Sequence, residues 1–319
     1  IKINLYCRCV SRVFIDLGTF YADSFRALHK GFEALPLMDF LRGDNPPEFC
    51  FHVASFSSSL YHEKAVSERL MQSLSKLFAK ELVVVPTVND FSQLLIIHIK
   101  NNRVSVKLDS SGIHLHKRGY GKFTEAAPLR ETIAAAMIYD SGVLSTPSGV
   151  LDPMCGSGTI PIEAAFLQSK VLWDEFRSFG FMRWKTYDPE LLLRAKQSIL
   201  FPEYSPRSVI ASETDPKTVS VATENIRKAK LAESISISQR DFLEYSTKDV
   251  QDTVIITNPP WGKRLDSNPE IDKTLQKLGK KAAGLFIISP QGKMKGFSVR
   301  FSVKSGDIRL FILKYNKTI

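Results

Sequence analysis

The chain has 319 residues, of which 44% are hydrophobic, and this is enough to form two domains with apolar cores. Its 43 Lys and Arg against 33 Asp and Glu give a formal net charge of +10, a balance that favours a polyanionic partner. The apolar runs are too short to span a bilayer, and the four cysteines form no CxxC pair, so we expect no membrane, no zinc site and no disulfide framework.

The cysteines suit a reducing compartment and no signal peptide is visible, so we expect a cytoplasmic location. Because the sequence begins with Ile1 rather than Met, we also expect an amino-terminal piece to precede it.

The first 116 residues predict a small α+β assembly. Its predicted elements, in chain order, are a strand-like run over 3–17, a helix over 24–40, a strand over 49–53, a helix over 63–78 and strands over 94–99, 104–108 and 113–116. Cys7 and Cys9 would share one face of the first run, where core packing is the favoured use.

His114 and His116 alternate on one face of the last predicted strand, as two zinc ligands would. No third ligand is near in sequence, so ordinary strand residues are the favoured interpretation. His62 follows Tyr61 at the entrance to the predicted helix over 63–78, where a cap, a packing role and a phosphate contact all stay open.

The segment 117–122 is basic, aromatic and punctuated by glycine. This composition suits a linker that meets a nucleic-acid backbone, while a solvated hinge is the alternative. Pro128 then opens an alanine-rich helix over 129–139, and the second domain begins there.

A short strand over 149–151 leads to Asp152, a turn with Gly156 and Gly158, and a helix over 160–167. A strand, a glycine turn and a helix open the doubly wound α/β fold that binds nucleosides or phosphates. The turn lacks the GK[ST] ending of a P-loop and the full GxGxxG of a dinucleotide site. The Asp152 carboxylate can orient a cationic ligand over the turn.

Three further strands each end in a candidate ligand residue. A strand over 208–212 ends at Glu213, where such folds hold a ribose diol, and Asp215 and Pro216 then predict a helix start. A strand over 235–239 ends near Asp241 and Phe242, placed to bond an adenine amino group and to cover its ring.

The fourth strand, over 253–256, runs into Thr257-Asn258-Pro259-Pro260-Trp261-Gly262. The Asn258 amide oxygen and the Pro259 carbonyl can accept the two N–H bonds of an exocyclic amine, while the base stacks on Trp261. The alternative is a proline-stiffened turn with Trp261 packed in the core.

With these residues in place, the chain resembles the THUMP-containing, Rossmann-fold RNA guanine-N2 methyltransferases, particularly the bacterial large-subunit ribosomal RNA type. The resemblance covers nearly the whole chain and is specific in combination. The matching stretches are 60–62, 116–120, 127–131, 152–159, 178–184 and 257–265.

The resemblance implies a class I Rossmann-like methyltransferase domain with a mostly parallel seven-stranded sheet, preceded by an α+β THUMP and ferredoxin-like RNA-binding region. The implied regions are a partial ferredoxin-like region over 1–45, a THUMP domain over 46–116, a linker over 117–130 and the methyltransferase domain over 131–319. It implies S-adenosylmethionine as cofactor and structured RNA, ribosomal or transfer, as partner.

It also implies the roles of individual residues. Asn258, Pro259 and Trp261 would hold the target base for direct methyl transfer. The implied cofactor-binding residues are Asp152, Met154, Gly156, Gly158, Thr159, Glu213, Asp215, Asp241, Phe242 and Asn258. The implied RNA-binding residues are Tyr61, His62, Lys117, Arg118, Tyr120, Lys263 and Arg264.

The expected activity is therefore N2-methylation of a guanosine in structured RNA, with large-subunit ribosomal RNA favoured over transfer RNA. Adenine-N6 methylation of DNA is an alternative, because an Asn-Pro-Pro-aromatic sequence serves amino methylation generally. A catalytically inactive RNA-binding assembly factor is the alternative outside the enzymes.

Overall fold

The computed structural model describes residues 1–41, 48–89, 92–121, 123, 129–169, 171–201, 207–260 and 268–317. Contacts divide the chain into two compact units: unit 1 comprises Ile1–Lys117 and Leu172–Ile199, and unit 2 comprises Arg118–Val171 and Leu200–Ile319. Among the described helices, none is long and apolar enough to cross a membrane.

The helices of the described residues are α1 (Lys2–Tyr6), α2 (Phe25–Glu33), α3 (Leu37–Phe40), α4 (Glu63–Phe78), α5 (Glu131–Ser141), α6 (Thr159–Gln168), α7 (Pro189–Gln197), α8 (Pro216–Lys228) and α9 (Pro269–Gly279). The strands are β1 (Phe14–Tyr21), β2 (Glu48–Phe56), β3 (Ser92–Lys100), β4 (Arg103–Asp109), β5 (Gly149–Asp152), β6 (Val209–Glu213), β7 (Ile235–Gln239), β8 (Thr253–Thr257), β9 (Gly284–Ser289), β10 (Phe297–Ser305) and β11 (Ile308–Tyr315).

Unit 1 contains a four-stranded sheet in the order β1-β4-β3-β2, in which β2 and β3 run parallel and the other pairs antiparallel. Helices α2 and α4 cover one face of it: Phe49 of β2 packs against Phe78 of α4, and the Phe20 ring lies against Gly31 of α2. Burial along β4 alternates, with Val104 and Val106 buried, because successive side chains of a strand point to opposite faces.

Two strand predictions in unit 1 are wrong. Residues 3–17 form α1 and the first part of β1, and between them Cys7 is half-buried and Cys9 exposed, so the two do not share a strand face. Residues 113–116 form turns, because the Arg177 guanidinium takes up the carbonyls of Ile113, His114 and Lys117 that a strand would offer to a neighbour.

Unit 2 contains a seven-stranded sheet in the order β10-β11-β9-β8-β5-β6-β7. Strands β5 to β9 run parallel, β11 runs antiparallel to β9, and β10 pairs with β11. The central strand β8 is buried throughout, as expected for a β-branched run inside a parallel sheet. The predicted mostly parallel seven-stranded sheet is confirmed.

The compact units divide the chain differently from the predicted four-region scheme. Strand β1, which falls in the predicted region 1–45, is part of one sheet with β2 to β4. Residues 172–199, predicted within the methyltransferase domain, belong to unit 1. Hydrogen bonds hold this segment in unit 1, since the Trp184 indole donates to the Gln93 side chain and the Phe181 N–H donates to the Ser110 carbonyl.

Candidate active site

The candidate site lies where the parallel strands of unit 2 end. The pairing of β5 with β6 and β8, and of β6 with β7, brings the carboxyl ends of four strands to one edge. Asp152 is the last residue of β5, Glu213 the last of β6, and Asn258 follows β8 directly. Ligands bind at this edge in open α/β sheets.

The turn after β5 is built from glycines in the left-handed region. Gly156 has φ +53° and Gly158 φ +87°, and residues with a Cβ rarely adopt such values. A Cβ at Gly156 would meet no described atom within 4 Å, so the turn borders open space. Thr159 is buried at the start of α6, and Met154 packs against the core of unit 2.

Backbone and side-chain hydrogen bonds fasten this turn to β6. The Cys155 N–H donates to the Ser212 carbonyl at 2.9 Å, and the Gly156 N–H donates to Glu213 Oε2 at 3.0 Å. The other oxygen of Glu213 accepts from the Thr214 N–H at 2.9 Å. Glu213 is half-buried, so its carboxylate is oriented yet still reachable by a ligand.

Asp152 is the buried acid of the site, with 1% of its surface exposed. Burial raises its pKa to about 7, and the nearby Glu213 charge adds to the rise. Two nearby donors act to lower the pKa. The Met154 N–H lies 3.3 Å from Asp152 Oδ1. The Thr257 hydroxyl is close to the carboxylate but makes no hydrogen bond of ordinary geometry. A cationic ligand group would favour the ionised form and would offset the cost of burying the charged carboxylate.

The acids after β6 and β7 serve partly as caps. Asp215 caps α8 by accepting from the Thr218 N–H at 2.9 Å, which confirms the predicted helix start at Asp215 and Pro216. Asp241 accepts from the Leu243 N–H at 2.8 Å. Its carboxylate is half-buried and has a second oxygen available for a ligand donor.

Phe242 is buried in the core of unit 2. Its side chain is 3% exposed and lies in the core cluster with Tyr245, Val250 and Leu275. The burial follows from the 3-10 turn Phe242–Glu244, which points the ring inward. Little of the ring surface is left for a ligand, and the contact with an adenine stays a prediction.

The segment 258–261, which is predicted to hold the target base, is only partly described. Asn258 is half-buried and Pro259 is buried at the end of β8, while Pro260 is exposed. Trp261, Lys263 and Arg264 lie outside the described residues. The structure thus brings Asn258 and Pro259 to the same sheet edge as the three carboxylates.

Two of the predicted RNA-binding residues are interior residues. Arg118 is 2% exposed and forms two hydrogen bonds of 2.9 Å with the buried carboxylate of Glu163. Tyr120 is 7% exposed and its ring packs against Phe166. A buried guanidinium needs a carboxylate partner, so this part of the basic segment belongs to the core of unit 2.

The three other predicted RNA-binding residues that the structure describes lie in unit 1 and are exposed. Lys117 is on the surface, and so are Tyr61 and His62, whose rings lie 4.1 Å apart. His62 occupies the N-cap position of α4 without a side-chain cap bond. A role in RNA binding stays a prediction for all three.

Asn225 was not among the sequence candidates. Its fully buried side chain on α8 donates to the Ser157 carbonyl in the glycine turn and to the Phe123 carbonyl, both at 2.9 Å, and it accepts from the Phe123 N–H at 2.7 Å. The sequence signal is a polar residue on the apolar helix face of Ala222 and Ile226.

Comparisons with known proteins agree with this geometry. Residues 118–288 match the model of the RMKL-like methyltransferase domain. The protein named ribosomal RNA large subunit methyltransferase K/L from Shewanella frigidimarina (strain NCIMB 400) is 34% identical over 195 residues, which cover 58% of this chain and 26% of that protein. The chain therefore spans about a quarter of the length of this curated relative.

Two solved structures match almost the whole chain at 26% identity. SMU.472, described as a methyltransferase complexed with SAH, superposes with a TM-score of 0.77 over 100% of this chain and 87% of that one. A protein from Listeria monocytogenes str. 4b F2365, described as a predicted N6-adenine-specific DNA methylase, superposes with a TM-score of 0.76 over 99% and 85%.

Proposed function

The chain belongs to the RMKL-like methyltransferase domain family, and we propose that it transfers a methyl group from S-adenosylmethionine to N2 of a guanosine in large-subunit ribosomal RNA. One observation carries the proposal: Asp152, Glu213, Asp241 and Asn258 converge on one edge of the parallel sheet of unit 2. The ribosomal RNA enzyme among the relatives supports the RNA class.

The residues at the edge fit S-adenosylmethionine. The buried carboxylate of Asp152 matches the cationic part of the cofactor, the oriented carboxylate of Glu213 matches a ribose diol, and Asp241 matches the adenine amino group. The open space beside Gly156 is where a ligand can approach the backbone. When bound, the cofactor supplies the electrophilic methyl group.

Asn258 and Pro259 orient the nucleophile. The N2 nitrogen of guanine is a weak nucleophile because its lone pair is delocalised into the ring. The Asn258 side-chain oxygen and the Pro259 carbonyl accept its two N–H bonds, which lets the nitrogen turn toward tetrahedral geometry and aims its lone pair at the methyl group. Holding both reactants in line supplies about 7 to 11 kcal/mol of the reduction in barrier.

The base has to leave its stack to reach this edge, at a cost of about a few kcal/mol. We assign the stacking that offsets this cost to Trp261, as the sequence predicts. We further propose that unit 1 is the THUMP and ferredoxin-like region that docks the RNA. Its four-stranded sheet with helices on one face supports this, and the net charge of +10 over the whole chain favours a polyanionic partner.

Adenine-N6 methylation of DNA is the second candidate. The similar Listeria structure carries that description, and an adenine amine would use the same two acceptors at Asn258 and Pro259. The two candidates share the cofactor and the geometry and differ only in the substrate.

Incubation of the protein with isotopically labelled S-adenosylmethionine and unmodified ribosomal RNA, transfer RNA or DNA, followed by nucleoside mass spectrometry, separates them. We expect label in N2-methylguanosine from ribosomal RNA. Label only in N6-methyladenine from DNA would replace the substrate assignment, and no label in any sample would overturn the proposed activity.

The Asn258→Ala variant tests the role of the amide. We expect loss of turnover with little change in affinity for S-adenosylhomocysteine, because the main role we assign to Asn258 is to hold the target base. Asn316→Ala is the matched control, since Asn316 directly follows β11 and is exposed. An equal loss of cofactor affinity in Asn258→Ala would show that the residue serves the cofactor instead.

A further inference from the structure

At one end of the unit 1 sheet, the paired residues of the four strands form a row across the sheet. In order, their side chains are aromatic, cationic, cationic and aromatic. Strand pairing puts Tyr21 opposite Arg103, Arg103 opposite Lys100, and Lys100 opposite Phe56. Directly paired residues of neighbouring strands project from the same face. These four side chains therefore form one cross-strand row, and three strand spacings of about 4.8 Å make it about 14 Å long.

The cross-strand row lies on the face opposite α2 and α4. Phe20 points to α2, so its neighbour Tyr21 points the other way. Tyr21 and Phe56 are each 63% exposed, and Lys100 and Arg103 are exposed as well. Two large exposed aromatic rings, one at each end of a basic pair, indicate a binding surface rather than a role in the core of unit 1.

The next row on this face has small or polar side chains. Its members, paired across the strands, are Thr19, Ser105, His98 and Ala54. Neither row contains an acid, so the formal charges of both rows together are positive. That combination is complementary to a polyanion with planar bases.

We propose that the cross-strand row binds a single-stranded segment of the RNA substrate, with bases stacked on Tyr21 and Phe56 and phosphates on Lys100 and Arg103. The inference rests on the proposed function, since it takes RNA as the substrate. Aromatic residues on the open face of other four-stranded sheets stack two or three bases, which suits a row of this length.

The test measures binding of fluorescein-labelled ten-nucleotide oligouridylate and oligoadenylate to the whole chain by anisotropy, at several KCl concentrations. Tyr21→Ala/Phe56→Ala should weaken binding at every salt concentration, by roughly tenfold for each ring. Lys100→Ala/Arg103→Ala should reduce the slope of log affinity against log salt by about 1.4, which corresponds to two phosphate contacts on a single strand.

The control is Lys30→Ala/Lys64→Ala, which removes two exposed charges from α2 and α4. It should bind the oligonucleotides like the wild type, and all variants should keep wild-type affinity for S-adenosylhomocysteine.

Several outcomes would overturn the inference. They are an equal effect of the control pair, unaltered binding by both row variants, no binding of either oligonucleotide by the wild type, or a dimer that the row variants dissociate. Failure of the proposed function would show separately, as a wild type that binds no S-adenosylhomocysteine or transfers no label.

Discussion

Glu213 accepts a hydrogen bond of 3.0 Å from the backbone N–H of Gly156, so the acid at the end of β6 is fixed to the glycine turn after β5. This hydrogen bond holds the two elements of the candidate cofactor site together. An acid held in this way loses little side-chain freedom on binding, which favours affinity.

We expect Glu213→Ala to weaken binding of S-adenosylhomocysteine by about 2 kcal/mol, or roughly thirtyfold, because a charged hydrogen-bond acceptor is lost. Isothermal titration calorimetry measures the change directly. Glu224→Ala is the matched control, because Glu224 lies on α8 and pairs with Arg227 at the surface. Equal affinity of Glu213→Ala and the wild type would remove Glu213 from the site.

The buried acid Asp152 predicts a dependence of stability on pH. Its folded-state pKa of about 7 lies above the ordinary value of 3.8. Its contribution to stability is therefore fully present below about pH 3.8 and is lost as pH rises through about 7. Without cofactor, we expect Asp152→Asn to be more stable than the wild type at pH 8, with the difference shrinking towards pH 5.

Thermal unfolding of both proteins at pH 5, 6, 7 and 8 measures this difference. Asp307→Asn serves as control, since Asp307 is exposed in the turn between β10 and β11 and should give a constant difference. Asp152→Asn should bind S-adenosylhomocysteine weakly at every pH. If the stabilities of the wild type and Asp152→Asn change in parallel with pH, the pKa of Asp152 is not raised in the folded protein.

The strand ends and the glycine turn could be predicted because each is a local pattern. Three patterns are visible within a few residues of sequence: the apolar run 253–257, the glycines of the turn after β5, and the acid at or just after the end of β5, β6 and β7. Arg118 and Tyr120 looked like surface residues because their partners Glu163 and Phe166 lie more than 40 positions away. The return of 172–199 to unit 1 likewise depends on distant contacts with Gln93 and Ser110.

The buried ion pair of Arg118 and Glu163 predicts a structural phenotype. Arg118→Met should lower the free energy of unfolding by about 3 to 5 kcal/mol, because it leaves the buried Glu163 carboxylate without its partner. Arg118→Met/Glu163→Met should recover most of the loss, since a pair of apolar side chains replaces the pair of charges. Urea denaturation measures both variants.

This prediction also separates the structural role of Arg118 from RNA binding. Affinity for RNA should be the same in the double variant and the wild type at a temperature where both are folded. A double variant that is stable but loses affinity for RNA would restore Arg118 to the RNA-binding set.

Asn225 joins the segment before α5 to the glycine turn after β5. Its amide holds the Ser157 carbonyl and both backbone polar groups of Phe123. We expect Asn225→Ala to lower the free energy of unfolding by about 1 to 3 kcal/mol, because buried polar groups lose their partners. We also expect it to weaken binding of S-adenosylhomocysteine, because Ser157 belongs to the glycine turn of the candidate cofactor site.

The effect on cofactor affinity distinguishes a positioning role of Asn225 from a purely structural one. Unit 1 offers a matched control. Asn4 is also fully buried, and its amide bonds the Ser110 and Ser111 hydroxyls at 2.9 and 2.8 Å. Asn4→Ala should cost similar stability yet leave cofactor affinity unchanged when measured well below the unfolding temperature. Because both variants lose a buried amide, equal cofactor affinity in the two would reduce Asn225 to a packing residue.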